Sequence, residues 1–253
     1  MAHLRNDDDA LAKDLAERAG ALLLALRDGA LEGRELGAEG DRRSNALIID
    51  GLREARPDDA VLSEEGVDDS GRLGASRVWI VDPLDGTREY SEAGRTDWAV
   101  HIALWDRGSI TTAVVGLPAQ GAVLEACDPP DLSTPAEPLR MVVSRSRPPE
   151  FADAVARSLG ARLVPLGSAG AKAAAVVTGQ ADLYLHAGGQ YEWDSAAPVG
   201  VALSAGLHAS RIDGSPLRYN QADPTVPDLL VCHRELAKAA LASIADQVDG
   251  RSR

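Results

Sequence analysis

Apolar residues recur at helical spacing over residues 7–26, at Leu11, Leu15, Ala19, Leu22, Leu23 and Leu26. Asp7, Asp8 and Asp9 precede the pattern as capping candidates and Gly29 closes it, so the spacing predicts a long amphipathic helix. A second helical pattern covers residues 44–54 through Leu47, Ile48 and Leu52 and stops before Pro57. Residues 60–62 then read as a short strand running directly into Ser63-Glu64-Glu65-Gly66. From there β-rich runs predict strands over 77–81, 98–105, 110–117 and 122–126, with Pro83 and Gly86 stopping the first and Asp106-Arg107-Gly108 forming a hairpin turn.

Residues 127–138 hold four prolines and three acids and read as an internal linker. Beyond it the pattern alternates: strands over 141–143, 162–165 and 182–185, helices over 151–159, 169–178 and 194–204, and a frayed tail over 246–253. No internal repeat is present. The chain is therefore expected to fold as an α/β (α+β) layered sandwich. Residues 1–126 would make an N-terminal α+β half and residues 139–253 a C-terminal α/β half of one compact unit.

Composition narrows the partners. At 253 residues, 45% hydrophobic, the chain can bury a full core. A net charge of −13 repels a nucleic-acid polymer, and aromatics at 4%, with Phe151 the only Phe, leave little for base-stacking platforms. A small anion remains acceptable if divalent cations neutralise the carboxylates locally. Two cysteines, Cys127 and Cys232, without metal-type spacing make a disulfide framework unlikely on spacing grounds. The polar N-terminus lacks a basic-then-apolar leader and no run reaches membrane-spanning length, so a cytoplasmic location is expected.

The segment Trp79-Ile80-Val81-Asp82-Pro83-Leu84-Asp85-Gly86-Thr87 carries the chemistry. A buried strand delivers Asp82, and Asp85 returns three residues later so that both carboxylates can face one point. Gly86 lets backbone approach a ligand, and the amides that follow can face an anion. Two converging carboxylates repel unless a cation lies between them, and hard oxygen donors select magnesium or manganese. Metal-assisted phosphoryl hydrolysis is the chemistry such a site performs. By itself the same motif also suits a capped turn, Glu64 and Glu65 suit a solvated loop, and Asp194 suits a helix cap. A haloacid-dehalogenase-type reading fails, because Pro83 stands where that class has its nucleophilic Asp.

This segment resembles the signature of the inositol monophosphatase superfamily, and other landmarks follow in order between Leu11 and Cys232. Glu64-Glu65 resembles the family's Gly-Glu-Glu element, with Ser63 in place of the glycine, and Trp193-Asp194-Ser195-Ala196-Ala197 resembles its second signature. The resemblance implies an αβαβα fold and two or three Mg2+ ions, with Mn2+ as a substitute. Their ligands would be Glu64, Asp82, Asp85, Asp194 and the Leu84 carbonyl. Glu64 would help activate the attacking water, which Asp41 and Thr87 would orient and deprotonate.

Ser144-Arg145-Ser146 further resembles the bacterial 3′(2′),5′-bisphosphate nucleotidase branch, and residues 184–194 resemble its actinobacterial form. That likeness implies substrate contacts from Gly86, Thr87, Ser144, Arg145, Ser168, Lys172, Tyr191 and Asp194. Arg145 or Arg147 would hold a second phosphate, with Lys172 beside it, and Tyr191 and Trp193 would lie near a base pocket. The implied reaction is Mg2+-dependent, lithium-sensitive removal of the 3′-phosphate from 3′-phosphoadenosine 5′-phosphate, or from 3′-phosphoadenylyl sulfate, in sulfate assimilation. The alternatives are a broad inositol-1-phosphate and fructose-1,6-bisphosphate phosphatase, or a catalytically silent cation-binding protein. The partner would be a small phosphorylated nucleotide, with no membrane, and a homodimer is left open.

Overall fold

The computed structural model describes residues 2–249. Helix α1 (Ala2–Arg27) starts ahead of the aspartate run expected to cap it. Asp8 is instead buried and accepts hydrogen bonds from Arg56 at 2.7 Å and Arg77 at 3.1 Å. Helix α2 (Gly33–Ala55) begins well before residue 44, so Asp41 lies inside a helix. Glycines mask this part of the apolar pattern for a packing reason. A Cβ at Gly37 would sit 2.8 Å from Thr87 Cγ2, and one at Gly40 would sit 2.9 Å from Tyr90 Cε1.

Strands β1 (Ala60–Ser63) and β2 (Arg77–Asp85) pair in parallel, and helix α3 (Thr87–Ser91) follows β2. Strands β3 (Ala99–Asp106), β4 (Ser109–Leu117) and β5 (Ala122–Glu125) complete a sheet of order β1-β2-β3-β4-β5, antiparallel from β2 onward. Arg107 and Gly108, at φ 47° and 98°, make the two-residue turn between β3 and β4. Pro83 does not end β2 as expected. The ladder to β3 breaks after Asp82 and resumes with Asp85 opposite Ala99, leaving Pro83-Leu84 as an irregularity.

The second sheet contains β6 (Leu139–Ser144), β7 (Ala161–Leu166), β8 (Leu183–Tyr191), β9 (His208–Ser210) and β10 (Thr225–Cys232), in order β7-β6-β8-β10-β9. Helices α4 (Ala152–Leu159) and α7 (Arg234–Asp249) cover its outer face, where Met141, Val155, Leu183, Leu230 and Ile244 form one core. Helices α5 (Ala169–Val177) and α6 (Glu192–Ser204) lie between the sheets. Alternating strand residues divide accordingly: Trp79, Val81, Val100 and Ile102 face α1 and α2, whereas Val78, Ile80, Ala99 and Ala103 join the central core. The result is the αβαβα layering.

The central layer is thin because its residues are small. Every residue of α5 is buried, and a Cβ at Gly200 of α6 would lie 2.5 Å from Ala113 Cβ on β4. The C-terminal region carries structure that the apolar pattern did not announce, in β9, β10 and α7. The tail expected to fray from residue 246 continues α7 to Asp249, and residues 250–253 lie outside the described part.

Candidate active site

The β2 irregularity turns Asp82 and Asp85 toward the start of α6. Carboxylate oxygens of Asp82, Asp85 and Asp194 lie within 4.8 Å of one another. Asp82 Oδ1 accepts the Leu84 amide at 3.0 Å, and Ser44 of α2 donates to the Pro83 carbonyl at 2.7 Å, fixing the turn from behind. Asp85 accepts the Ala169 and Gly170 amides at 3.2 and 2.6 Å, so the N-terminus of α5 supports its charge. Asp194 is the third residue of α6 and accepts the Tyr191 amide at 2.6 Å. It therefore serves as a cap and a cleft-facing carboxylate together.

Glu64 follows β1, whose pairing is extended by the Glu64 amide donating to the Val81 carbonyl at 3.2 Å, and its carboxyl hydrogen-bonds Asp82. Burial, then the charges of Glu64 and Asp85, hold Asp82 well above the usual carboxylate range. Burial chiefly lifts Glu64 to about 7, and burial followed by the Asp85 charge lifts Asp194 to about 7. Crowded oxygens with this difficulty in ionising match a divalent cation, which would relieve the repulsion through hard donors. Asp82, Asp85 and Asp194, with the Glu64 carboxyl beside Asp82, therefore fit a bound divalent metal ion in donor chemistry.

Thr87 Oγ1 lies 3.2 Å from both Asp41 Oδ1 and the Leu84 carbonyl. One hydroxyl proton can serve only one acceptor at a time. Burial and the Glu65 charge raise Asp41 to about 7, against the opposing hydrogen bond from Thr87. Gly86 has φ 87°, and a Cβ there would meet Ser168 Cβ at 2.8 Å, so only glycine permits this turn against the α5 loop.

A cleft of about 710 Å³ opens from Glu64, Asp85 and Asp194 past Gly86 and Thr87 to Ser144, Arg147, Ser168, Lys172 and Tyr191. Ser168 caps α5, its hydroxyl accepting the Ala171 amide at 2.8 Å. Lys172 is buried; its ammonium donates to the Gly167 and Ser168 carbonyls and lies 5.4 Å from the Tyr184 ring centre. Desolvation lowers it to about 8 despite the pull of Asp85 and Asp194. Arg145 is held by Glu89 at 2.6 Å and Glu92 at 3.0 Å and does not line the cleft, whereas Arg147 does. Tyr191 is 48% exposed and stacks on Trp193 at 4.6 Å and 12°, with Trp193 packed against the core behind it.

Known proteins resemble this chain over nearly its whole length. A family model described as the inositol monophosphatase family matches residues 8–249. This chain belongs to the inositol monophosphatase family. It is 54% identical over 254 residues to a Mycobacterium leprae protein named 3′-phosphoadenosine 5′-phosphate phosphatase, covering 94% of each chain. It is 34% identical over 193 residues to the Escherichia coli K12 3′(2′),5′-bisphosphate nucleotidase CysQ, covering 71% of this chain and 77% of that one. The crystal structure of CysQ from Bacteroides thetaiotaomicron superposes with a TM-score of 0.78 at 25% identity, covering 90% and 97% of the two chains.

The protein is thus a phosphatase of a metal-dependent family, with an aspartate cluster able to hold a metal. No described helix is long and apolar enough to cross a membrane. Sequence reading missed His101 at this inositol monophosphatase-type site. It is fully buried on β3, with Nδ1 3.0 Å from the Trp193 carbonyl and Nε2 3.3 Å from Asp85 Oδ2. A Cβ at Gly170 would clash with the ring. A polar residue within the otherwise apolar run 98–104 was the available signal.

Proposed function

We propose that this phosphatase hydrolyses the 3′-phosphate of 3′-phosphoadenosine 5′-phosphate to give AMP and phosphate. One observation carries the reading: a single cleft brings together Glu64, Asp85 and Asp194, Arg147 and an exposed tyrosine ring stacked on a tryptophan. A phosphate ester bearing a second anion and a flat base satisfies all three. The near-full-length likeness to the Mycobacterium leprae phosphatase supports the same substrate.

Glu64, Asp82, Asp85, Asp194 and the Leu84 carbonyl would hold Mg2+, two or three ions in all, with Mn2+ as substitute. Bound there, the metal supplies charge neutralisation at the phosphate and leaving oxygen and lowers the pKa of water. The chain's own residues position the reactants. Gly86 and Thr87 present backbone amides to the phosphate, and Thr87 and Asp41 orient the attacking water and take its proton, with Glu64 assisting. Water oxygen bonds to phosphorus as the P–O3′ bond breaks, and the released 3′-oxygen takes a proton from solvent water in the open cleft to leave as the hydroxyl of AMP.

Arg147, rather than the ion-paired Arg145, would bind the second phosphate, and Tyr191 would stack on adenine. Lys172 and Ser168 would support the Gly167–Ser168 loop from beneath, and Ser144 would support Arg147, whose amide it accepts at 3.1 Å. Past Arg147 the cleft continues into a space of about 280 Å³ beside Pro148, Phe151 and His186, with room for the extra sulfate of 3′-phosphoadenylyl sulfate. A cytoplasmic place in sulfate assimilation follows from those substrates, and lithium inhibition from the family's metal site.

The test is phosphate release with and without Mg2+, comparing kcat/KM for 3′-phosphoadenosine 5′-phosphate, inositol 1-phosphate and fructose 1,6-bisphosphate. A strong Mg2+-dependent preference for the nucleotide is expected. Similar rates would replace it with the broad phosphatase, and no release would leave a cation-binding protein. Arg147→Ala should raise KM for the bisphosphate nucleotide by about 10- to 100-fold, the loss of 1.5–3 kcal/mol from a charged hydrogen bond, while sparing inositol 1-phosphate.

A further inference from the structure

Glu64, whose amide extends the β1 pairing, opens a surface segment held nearby by the Gly66 amide on the Ser63 carbonyl at 3.1 Å and, further on, by Arg72. Glu64 turns its carboxyl into the cleft although the residue as a whole is exposed, residues 65–71 are all exposed, and the first buried residue after Ser63 is Arg72, within the short 3₁₀ turn Ser70–Gly74. The Arg72 side chain is only 1% exposed. Its guanidinium donates to both Asp68 carboxylate oxygens, at 2.6 and 3.0 Å, to Asn220 Oδ1 at 2.7 Å and to the Gln221 carbonyl at 2.9 Å. Asn220 Nδ2 donates back to the Arg72 carbonyl at 3.2 Å. Arg72 and Asn220 thus close a reciprocal pair across 148 residues of sequence.

The same 219–221 segment grips the other side of the site. Glu192, 1% exposed and two residues before Asp194, accepts the Asn220 amide at 2.6 Å and the Gln221 amide at 2.8 Å. Tyr219 donates to Ser195, the residue after Asp194, at 3.4 Å. Asn220 itself has φ 57°, a left-handed conformation that Asn tolerates and most residues do not. The 219–221 segment is therefore bonded on both flanks of Trp193-Asp194 and, through the Asn220 side chain and the Gln221 carbonyl, to Arg72 at the end of the Glu64 segment.

We propose that Arg72 and Asn220 are positioning residues that hold Glu64 at the spacing from Asp194 required for both to serve one metal site. Neither touches the cleft. Their effect passes through the loop that follows Glu64 and through Glu192 at the head of α6. A rigid guanidinium fork suits this task, since it joins Asp68, Asn220 and Gln221 in one plane where a lysine ammonium could not. The inference rests on the metal-dependent phosphatase reading above.

The test uses Asn220→Gly, which keeps the left-handed backbone and both amides to Glu192 and deletes only the side-chain bonds to Arg72, together with Arg72→Lys. Mn2+ binding is measured by titration calorimetry on the substrate-free protein, and the Mg2+ dependence of turnover is measured separately. With native-like circular dichroism, each variant should bind Mn2+ about 10- to 100-fold more weakly and need correspondingly more Mg2+, while KM for the nucleotide at saturating Mg2+ stays unchanged. Asn220→Asp, which retains the acceptor for Arg72, should recover part of the affinity. Folded variants with wild-type Mn2+ affinity, or with losses confined to KM, would overturn the proposal. Wild-type protein that neither binds Mn2+ nor hydrolyses phosphate would instead overturn the functional reading itself.

Discussion

Replacing Asp194 by Asn should stabilise the metal-free protein by an amount that grows as pH rises from about 4 and levels off above about 7. Burial and then the Asp85 charge raise the Asp194 carboxyl from 3.8 to about 7. That rise corresponds to about 4 kcal/mol of native-state free energy once the group is fully ionised. The unfolded chain ionises it near 3.8 and the folded chain near 7, so between these values the native state holds the extra proton. Stability therefore falls as pH rises through that window. A neutral amide oxygen accepts the Tyr191 amide less strongly, costing about 1 kcal/mol, and water at the cleft mouth screens part of the repulsion. The net gain is about 2 kcal/mol at pH 8, or roughly 4–8 °C in Tm for a chain this size.

Thermal unfolding followed by circular dichroism in EDTA, at pH 8 and below pH 4, measures it directly. Asp194→Asn should melt higher than wild type at pH 8 and level with it at the lower pH, where both side chains are neutral. Adding Mg2+ should close the gap from the wild-type side. A variant less stable than wild type at pH 8, or a gain independent of pH, would refute the repulsion argument.

Mg2+ affinity should climb by more than about tenfold between pH 6 and pH 8, because Glu64 and Asp194, both lifted to about 7, must shed protons to ligate; calorimetry showing a flat profile would contradict this. Asp85→Asn should abolish Mg2+ binding and lower kcat/KM by about two to three orders of magnitude with the fold intact, since an amide oxygen can still accept from Gly170. Retained turnover in a folded variant would remove Asp85 from the metal site. Gly86→Ala should cost at least about 1–2 kcal/mol, because φ 87° is strained for alanine and its Cβ would press on Ser168. An unchanged melting temperature would show that this turn relaxes freely.

Local spacing made the heart of the site legible. Asp82 and Asp85 lie three residues apart at the end of a buried strand, with Gly86 to turn the chain, and short covalent connections leave those carboxylates few places to go. The parity of β2 and β3 and the apolar periodicity of α1 likewise follow from residue-level burial. Periodicity fails where packing, not amphipathicity, selects the residues. The glycines of α2 admit Thr87 and Tyr90 at close range, and that contact places Asp41 beside Thr87. β10 is buried on both faces and so lacks a polar side to alternate with.

Other choices belonged to the tertiary structure alone. Arg145 and Arg147 stand two residues apart in similar sequence, yet Glu89 and Glu92 of the α3 region hold the first and leave the second to line the cleft. His101 meets Asp85 only because β3 pairs with β2, and Arg72 meets Asn220 only because two distant loops close over the head of α6. The sequence determined which turns and carboxylates could exist, through covalent reach and local burial. Folding decided which charges met, because pairing between distant segments depends on layer packing that no local spacing encodes.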